Sequence, residues 1–266
     1  MHEETLLTGR KIPTIGFGTW ELTEDTDAIV AKAIGVGYRM IDTSGDYGTQ
    51  PGVGAGIAQS SIRREELYLI TKIEETDDAY DATVKNLQEL HLGYADLVLI
   101  HRPPNDGVGE ELWNGLIQAQ EDGLTKDIGV SNYSEDQIRA LYAITGVMPV
   151  VNQIEWSPFG WSQAMLDFCH EHEILIQGYS PLTRGERLGD AVLMPISQHY
   201  DKTPAQIMLR WAQQIGVIPI VKAGQLPHLE ENIDLDFTLS DADVVKLCSL
   251  NETYSALGKR PAYQLR

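Results

Sequence analysis

The sequence predicts a (β/α)₈ barrel, the TIM-barrel fold, with all 266 residues in a single domain, 1–266. Two observations favour this fold. Eight short apolar runs alternate with helix-like segments along the chain, and polar side chains gather at the carboxyl ends of those runs. The length agrees, because one such barrel typically takes about 250 residues.

The apolar runs are rich in Ile, Val and Leu and show little polar alternation, as parallel strands buried on both faces require. They cover residues 15–19, 38–44, 67–72, 95–101, 126–132, 149–155, 173–180 and 216–222. Ahead of them, residues 5–13 have the pattern of a hairpin that turns at Gly9. We expect this hairpin to cap the bottom of the barrel.

Helix signals stand between the runs. The predicted helix starts are Thr23 before residues 24–34, Ser134 in a capping box with Gln137, Ser162, and Thr203 before Pro204. The predicted helix ends are Gly93 after residues 78–92 and Gly123 after residues 110–121. A last helix is predicted over residues 241–250.

An open, doubly wound sheet is the rival fold. It usually carries a G-x-G-x-x-G phosphate-binding turn directly after its first strand. The glycine-rich segment here, with Gly52, Gly54 and Gly56, follows a loop and lacks the final glycine spacing. We therefore do not interpret it as a dinucleotide fingerprint, and the closed barrel is favoured.

The charge balance excludes several partners. The chain has 39 Asp and Glu against 20 Lys and Arg, a net charge of −19. Such a surface repels nucleic-acid phosphates and anionic lipid, so neither partner is expected. Solubility or adaptation to a salty interior would each explain the acidity. No signal peptide and no apolar stretch of about 20 residues is recognisable, so a cytoplasmic location is expected.

Cysteine and histidine usage does not suggest a metal site. Cys169 and Cys248 lie in helix-like segments and are expected to be reduced core residues. His170 and His172 form a pair, but no further ligands lie near them in the sequence. We expect no metal.

Polar side chains at strand ends point to an active site. In a (β/α)₈ barrel the carboxyl ends of the strands surround the catalytic mouth. The residues in such positions are Asp42, Lys72, His101, Ser131, Asn132, Gln153, Tyr179, Ser180 and Lys222. Packing alone would not produce so many polar groups at one mouth, and we take them as candidates for binding and catalysis.

Four residues suggest the chemistry. Tyr47 follows Asp42 on the loop after the second strand. A phenol is a poor acid near neutral pH, and we expect Lys72 to lower its pKa while Asp42 keeps Lys72 charged. His101 would donate an N–H to a carbonyl oxygen. This set suits proton donation to an oxygen as a hydride arrives, and it contains no nucleophile paired with a base.

The ordered motifs resemble the aldo-keto reductase family over nearly the whole chain. They are GFGTW at 16–20, IDTSGDYG at 41–48, ITK at 70–72, LIHRP at 99–103, GVSNY at 129–133, NQIEW at 152–156, YSPL at 179–182 and EEN at 230–232. The length resembles that of small bacterial members such as the 2,5-diketo-gluconate reductases. The resemblance implies NADP(H) as the cofactor, no metal, and reduction of a small aldehyde, ketone, keto sugar or keto acid to an alcohol. We expect a monomer.

The resemblance also implies residue roles. Asp42, Tyr47, Lys72 and His101 match the catalytic tetrad, with Tyr47 as general acid. Cofactor contacts are implied for Gly18, Thr19, Ser131, Asn132, Gln153, Tyr179, Ser180, Leu182, Lys222, His228, Glu231 and Asn232. Among these, Ser131, Asn132 and Gln153 would bind the nicotinamide amide and Tyr179 would stack on its ring. Substrate contacts are implied for Trp20, Tyr47 and His101.

Two departures from the family pattern bear on specificity. Ala223 and His228 stand where the family has residues that contact the adenosine 2′-phosphate, so NADP is expected but NAD is possible. Arg102 stands where the family has Trp. It either turns outward to pair with Asp106 or Glu110, or binds substrate as a fork for carboxylates.

Three expectations remain open at this point. A non-catalytic regulatory subunit that binds a nicotinamide cofactor could share this fold, as could a barrel isomerase or lyase. Asp46, beside Tyr47, is expected to be a solvated loop acid. The C-terminal segment, residues 255–266, either folds over the mouth or frays.

Overall fold

A computed structural model describes residues 2–258. Within that part, eight parallel strands close into a barrel in the order β10-β3-β4-β5-β6-β7-β8-β9. They are β3 (Gly16–Gly18), β4 (Met40–Asp42), β5 (Tyr68–Ile73), β6 (Ala95–Ile100), β7 (Thr125–Ser131), β8 (Val151–Glu155), β9 (Leu175–Tyr179) and β10 (Val217–Val221). The predicted (β/α)₈ fold is confirmed, and each predicted run overlaps one strand; β5 and β7 extend one residue beyond their runs.

The N-terminal hairpin closes the bottom of the barrel, as predicted. Strands β1 (Glu3–Thr5) and β2 (Lys11–Pro13) pair antiparallel, and Gly9 in the turn has a φ of 80°. Leu6 and Ile12 are buried among side chains from the lower ends of the barrel strands. Their burial removes apolar surface from water and leaves the opposite, carboxyl end of the barrel as the open one.

Helices surround the barrel. They are α1 (Thr26–Val36), α2 (Gln50–Gln59), α3 (Ala79–Leu90), α4 (Glu110–Glu121), α5 (Glu135–Thr145), α6 (Gln163–Glu171), α7 (Leu193–Tyr200), α8 (Pro204–Gln214), α9 (Leu226–Ile233) and α10 (Asp241–Cys248). The predicted caps at Ser134, Ser162 and Thr203 are confirmed, because their hydroxyl oxygens accept hydrogen bonds from backbone N–H groups in the first turn of each helix.

Two predicted helix ends are wrong. Helix α1 is preceded by Asp25 in a left-handed conformation, with a φ of 51°, instead of being capped by Thr23. Helix α3 ends before Gly93, because His91 adopts a φ of 53° and its N–H bonds to the last helical carbonyls. A non-glycine residue can take this conformation where hydrogen bonds hold it, which composition alone does not reveal.

The glycines that do not form a nucleotide fingerprint have a packing role in α2. A Cβ at Gly54 would lie 2.1 Å from the Leu90 carbonyl oxygen, and one at Gly56 would lie 2.6 Å from the Asp27 carbonyl oxygen. Any side chain would therefore force α1 or α3 away from α2. The spacing of these glycines is therefore explained by the close contact of α2 with α1 and α3.

The remaining fold-level expectations concern cysteines and membranes. Both cysteines carry free thiols; Cys169 is buried and Cys248 is half-buried. Between residues 2 and 258, no helix combines the length and the apolar composition that crossing a bilayer requires.

Candidate active site

The predicted site residues gather at the open end of the barrel. Asp42, Ser131 and Tyr179 are the last residues of β4, β7 and β9, and His101 and Lys222 directly follow β6 and β10. Because neighbouring parallel strands end at the same edge, residues far apart in sequence become neighbours here. The tetrad expected from sequence lies together.

Lys72 forms the centre of the tetrad. Its Nζ donates to Asp42 Oδ1 at 2.7 Å, to the Thr43 carbonyl at 2.9 Å and to Tyr47 Oη at 3.2 Å. The side chain is fully buried. Burial lowers the pKa of Lys72, but the charges and hydrogen bonds of Asp42 and Tyr47 raise it more, so its pKa lies above the usual value. The ammonium therefore stays charged, as expected.

The pKa of Tyr47 differs from the prediction. We expected Lys72 to lower it below its ordinary value. Burial of the phenol raises the pKa more than the charge and hydrogen bond of Lys72 lower it, and the net direction is upward. The phenol is therefore neutral at ordinary pH, which is the protonation state that a proton donor needs.

Asp42 has a partner for each carboxylate oxygen. Oδ1 accepts from Lys72, and Oδ2 accepts from Gln153 Nε2 at 2.8 Å. The same Gln153 nitrogen donates to Gln177 Oε1 at 2.9 Å. The amide donor of Gln153 is thus occupied within the barrel, which leaves its carbonyl oxygen as the group that could accept a bond from a nicotinamide amide.

His101 contacts two carboxylates that the sequence analysis did not assign to the site. Its Nδ1 lies 2.6 Å from Glu74 Oε1 and 3.5 Å from Asp46 Oδ1. Its ring meets the Tyr47 ring edge-on, with centroids 5.7 Å apart. Asp46 is an exposed loop acid, as expected, and it also lies 3.5 Å from both His101 and Arg102. The position of Glu74 in the sequence could have identified it, since it follows Lys72 by two residues and comes directly after β5.

Arg102 makes neither of the pairs expected for it. Its guanidinium lies 3.0 Å from Glu74, 3.5 Å from Glu75 and 3.5 Å from Asp46. The predicted outward pairing with Asp106 or Glu110 is not observed. The side chain is 47% exposed and stands beside His101 with its charge already opposed by carboxylates. Because carboxylates of the protein already surround the guanidinium, Arg102 is not a free fork for an anionic substrate.

The same cluster contains potential metal ligands. Ligand atoms of Asp46, Glu74 and His101 lie within 4.8 Å of one another, the one such group among residues 2–258. The Arg102 guanidinium, 3.0 Å from Glu74, supplies a positive charge to these carboxylates. We interpret the cluster as an ion-pair network, and the expectation that the protein needs no metal stays a prediction.

A second network joins the strand ends on the other side of the mouth. Tyr179 Oη donates to Asn132 Oδ1 at 2.8 Å, and Asn132 Nδ2 donates to the His101 carbonyl at 3.0 Å. Ser131 Oγ donates to the Gln153 carbonyl at 2.7 Å. These bonds fix the residues expected to surround a nicotinamide ring.

Four non-glycine residues in this region have left-handed backbone conformations. Asn132, Ser180, Thr183 and Arg184 have φ values of 63°, 50°, 50° and 53°. Such conformations are unfavourable for residues with a side chain and often accompany binding sites. The turn formed by Leu182, which is half-buried, and its neighbours thus brings Arg184 to the rim of the mouth.

Two cations at the rim could meet phosphate groups. Lys222 Nζ lies 3.4 Å and Arg184 lies 3.6 Å from the carboxylate of Glu21. The Arg184 guanidinium also stacks 4.5 Å above the Trp20 ring. Glu21, which the sequence analysis missed, therefore links the loop after β3 to the cations at β9 and β10. The two cations match the two charges of a pyrophosphate, and the Glu21 carboxylate opposes them.

The residues expected to contact the adenosine differ in their exposure and in their hydrogen bonds. His228 is exposed, with Nδ1 3.8 Å from Glu231. Glu231 accepts a hydrogen bond from Thr203 Oγ1 at 2.6 Å, and Asn232 is buried. The wall between Gly18 and β10 is close: a Cβ at Gly18 would lie 3.1 Å from Ile220 Cγ2. Thr19 is buried and bonds to the Asp42 carbonyl at 2.9 Å.

The start of the C-terminal segment docks at the mouth. Ser255 Oγ and the Ala256 N–H donate to the two carboxylate oxygens of Glu155, each at 2.6 Å. Burial raises the pKa of Glu155 more than these hydrogen bonds lower it. Of the segment whose fate the sequence left open, residues 255–258 are described and residues 259–266 lie outside the described part.

The sequence profile of the aldo/keto reductase family matches residues 14–193, which is more than half of the chain. The chain belongs to this family. A curated aldo-keto reductase of Mycolicibacterium smegmatis is 37% identical over 264 residues, covering 97% of this chain and 96% of that protein. The glyoxal reductase of Bacillus subtilis is 36% identical over 251 residues, covering 92% and 91%.

Solved structures of the family have the same fold. The aldo/keto reductase of Brucella melitensis superposes with a TM-score of 0.88 at 36% identity and covers 94% of this chain and 99% of that chain. The Bombyx mori aldo-keto reductase in complex with NADP superposes with a TM-score of 0.90 at 32% identity, covering 98% of each chain. The family resemblance is therefore confirmed, whereas the likeness to 2,5-diketo-gluconate reductases stays a loose comparison.

Proposed function

We propose that this aldo/keto reductase family member reduces small aldehydes and ketones to alcohols with NADPH, with Tyr47 as the proton donor. The observation that carries the proposal is the buried Lys72 ammonium that contacts both Asp42 and the Tyr47 phenol. A neutral phenol beside a permanent cation can release its proton to an oxygen as negative charge develops there.

The chain's own groups have separate tasks in this reaction. Bound NADPH supplies a hydride from its nicotinamide ring. As the hydride adds to the carbonyl carbon, the π electrons of the C=O bond move to oxygen, which takes the Tyr47 proton. Lys72 stabilises the phenolate that remains, and Asp42 keeps Lys72 charged and in place. His101 would orient the carbonyl oxygen by a hydrogen bond.

NADP is proposed as the cofactor on charge and similarity. Lys222 and Arg184 place two positive charges at one rim, and the Bombyx mori relative was crystallised with NADP. Asn132 and Tyr179 would hold the nicotinamide. Ala223 and the exposed His228 provide little binding for the 2′-phosphate of NADP, since neutral imidazole is a poor partner for an anion. NADH use is therefore possible.

Neutral carbonyl compounds are proposed as substrates in preference to keto acids. Asp46, Glu74 and Glu75 oppose the single charge of Arg102 beside His101. This wall would repel a carboxylate near the reacting carbonyl. The Bacillus subtilis relative is a glyoxal reductase, and small uncharged aldehydes fit the same reasoning. We propose that the protein acts on free small molecules as a cytoplasmic monomer.

Tyr47→Phe tests the proposal, with initial rates measured on a panel of aldehydes, ketones and keto acids with NADPH and with NADH. We expect the wild type to reduce aldehydes and the variant to lose ~10²–10⁴-fold in kcat/KM. Fluorescence titration should show NADPH binding within about twofold of wild type, because only the phenolic O–H is removed.

A variant that keeps more than about a third of the wild-type rate on a slow substrate would show that Tyr47 is not the acid. The alternative is a non-catalytic subunit that binds a nicotinamide cofactor. It predicts NADPH binding by the wild type without reduction of any carbonyl compound in the panel.

A further inference from the structure

We propose that Glu74 is a positioning residue for His101: its carboxylate holds a proton on Nδ1, so that Nε2 faces the substrate and donates a hydrogen bond only from the imidazolium form. This inference rests on the proposed function, because it assigns His101 the carbonyl oxygen as its partner. It assigns to Glu74, a residue outside the tetrad, control over which nitrogen of His101 carries the proton.

The contact between the two side chains is short and sheltered. His101 Nδ1 and Glu74 Oε1 are 2.6 Å apart, and the side chains are 10% and 21% exposed. This distance is slightly shorter than the ~2.7–2.9 Å usual for a hydrogen bond from nitrogen to a carboxylate, and shelter from water strengthens such a bond. Asp46 Oδ1 lies 3.5 Å from the same nitrogen, so Glu74 is the primary partner.

Arg102 fixes the orientation of the Glu74 carboxylate. Its Nη1 donates to Glu74 Oε2 at 3.0 Å, while Oε1 faces His101. Each oxygen therefore has its own donor. A carboxylate held at both oxygens cannot turn away from the imidazole, and the imidazole ring is held in turn.

The proton position follows from hydrogen-bond capacity. An ionised carboxylate can only accept, so the hydrogen in the short contact lies on Nδ1. When His101 is neutral, that hydrogen is its only N–H, and Nε2 carries a lone pair. Nε2 can then donate to a carbonyl oxygen only when the ring is protonated at both nitrogens. Reduction should weaken as His101 loses its second proton.

Several charged or titratable groups contact His101 or interact with the groups that contact it, and each could affect this titration. They are Asp46 and Tyr47 from the loop after β4, Lys72 and Glu74 from β5 and the loop after it, Arg102 next along the chain, and Tyr179 at the end of β9. The raised pKa values of Tyr47, Lys72 and Tyr179 keep those groups protonated near neutral pH. A loss of activity near neutral pH would therefore not come from these three groups.

The first test compares pH profiles of kcat/KM for reduction of a slow aldehyde with NADPH in the wild type, Glu74→Gln and Glu75→Gln. In Glu74→Gln the amide oxygen should stay with Arg102, which can only donate, and the NH₂ group should donate to Nδ1. Neutral His101 then carries its hydrogen on Nε2. We expect the wild-type rate to fall about tenfold per pH unit above its midpoint and the variant profile to flatten.

Glu75→Gln is the matched control. It removes the same charge from the adjacent residue, which pairs with Arg102 at 3.5 Å but has no contact with His101. We expect this variant to keep the wild-type descent with pH. If Glu74→Gln also keeps it, or if both variants lose it, the assignment to Glu74 is overturned.

The second test reads the tautomer without any turnover. Nitrogen-15 NMR of the imidazoles distinguishes Nδ1–H from Nε2–H, and a spectrum of His101→Gln assigns the signal among the seven histidines. We expect neutral His101 to be the Nδ1–H tautomer in the wild type and the Nε2–H tautomer in Glu74→Gln. An Nε2–H signal in the wild type overturns the inference. A wild type that reduces no carbonyl overturns the proposed function instead and leaves this measurement decisive for Glu74.

Discussion

The Lys72 ammonium and the Asp42 carboxylate form an ion pair of 2.7 Å from which water is almost wholly excluded. The same ammonium lies 3.2 Å from the phenol oxygen of Tyr47. A buried charge without its partner is far less stable than either a complete pair or a neutral replacement. The pair therefore links the stability of the barrel mouth to its chemistry.

Removing one member of the pair should destabilise the protein. We expect Lys72→Met to lower the free energy of unfolding by about 3–5 kcal/mol, because Asp42 stays buried without a counter-charge. The double variant Asp42→Asn with Lys72→Met should recover part of this loss, since no charge remains. Urea denaturation of the three proteins measures both effects, and a double variant less stable than Lys72→Met would contradict the argument.

The pH dependence should differ between reduction and oxidation. Reduction uses the neutral phenol, and the raised pKa of Tyr47 keeps that form present throughout the neutral range. Alcohol oxidation needs the phenolate to accept a proton, so its kcat/KM should keep rising as pH is raised toward the pKa of Tyr47. Lys72→Met should move this rise to higher pH. Steady-state profiles for an alcohol with NADP⁺ test it, and a plateau at neutral pH in the wild type would refute the pKa direction.

Glu21 should weaken cofactor binding. Its carboxylate lies 3.4 Å from Lys222 and 3.6 Å from Arg184, the cations proposed to meet the cofactor phosphates. We expect Glu21→Gln to lower the Kd for NADPH about two- to fivefold, in keeping with the strength of half-exposed ion pairs. Glu24→Gln, at an exposed acid three residues along, should leave the Kd unchanged. Fluorescence titration decides; equal shifts in both variants would indicate a general charge effect.

The acidic wall should discriminate between substrates by charge. With Arg102 opposed by three carboxylates, an uncharged aldehyde should have a higher kcat/KM than an analogue of equal size bearing a carboxylate. Arg102→Trp should widen this ratio about tenfold, because the wall loses its one cation. The ratio is measured in both proteins with NADPH. A wild type that prefers the keto acid would restore Arg102 as a carboxylate-binding residue.

The net charge of −19 predicts a response to salt. If the surface is adapted to a salty interior, the Tm should rise as KCl is raised toward molar concentration, because screening relieves repulsion between like charges. Differential scanning calorimetry at several KCl concentrations tests this. A flat or falling Tm would indicate that the acidity serves only solubility.

The sequence alone determined the barrel fold and most of the residues that lie at its open end. Strands buried on both faces must be almost wholly apolar, so the eight runs were recognisable, and the polar residues that end them could only be exposed at one edge. Asp42, Lys72 and His101 were identified in this way, and Tyr47 was identified by its place on the loop after Asp42. Local signals with a direct hydrogen-bonding cause, such as the capping box of Ser134 and Gln137, were equally readable.

Only the tertiary structure decided which charges meet. The partners of His101 and Arg102 come from loops after other strands, and contacts such as Asp46 to Arg102 join residues 56 positions apart. The pKa of Tyr47 likewise depends on how much water burial removes from the phenol, which outweighs the neighbouring cation. Strand periodicity fixes where a residue sits along the barrel, but the direction of a loop side chain and the depth of its burial depend on the packing of the whole mouth.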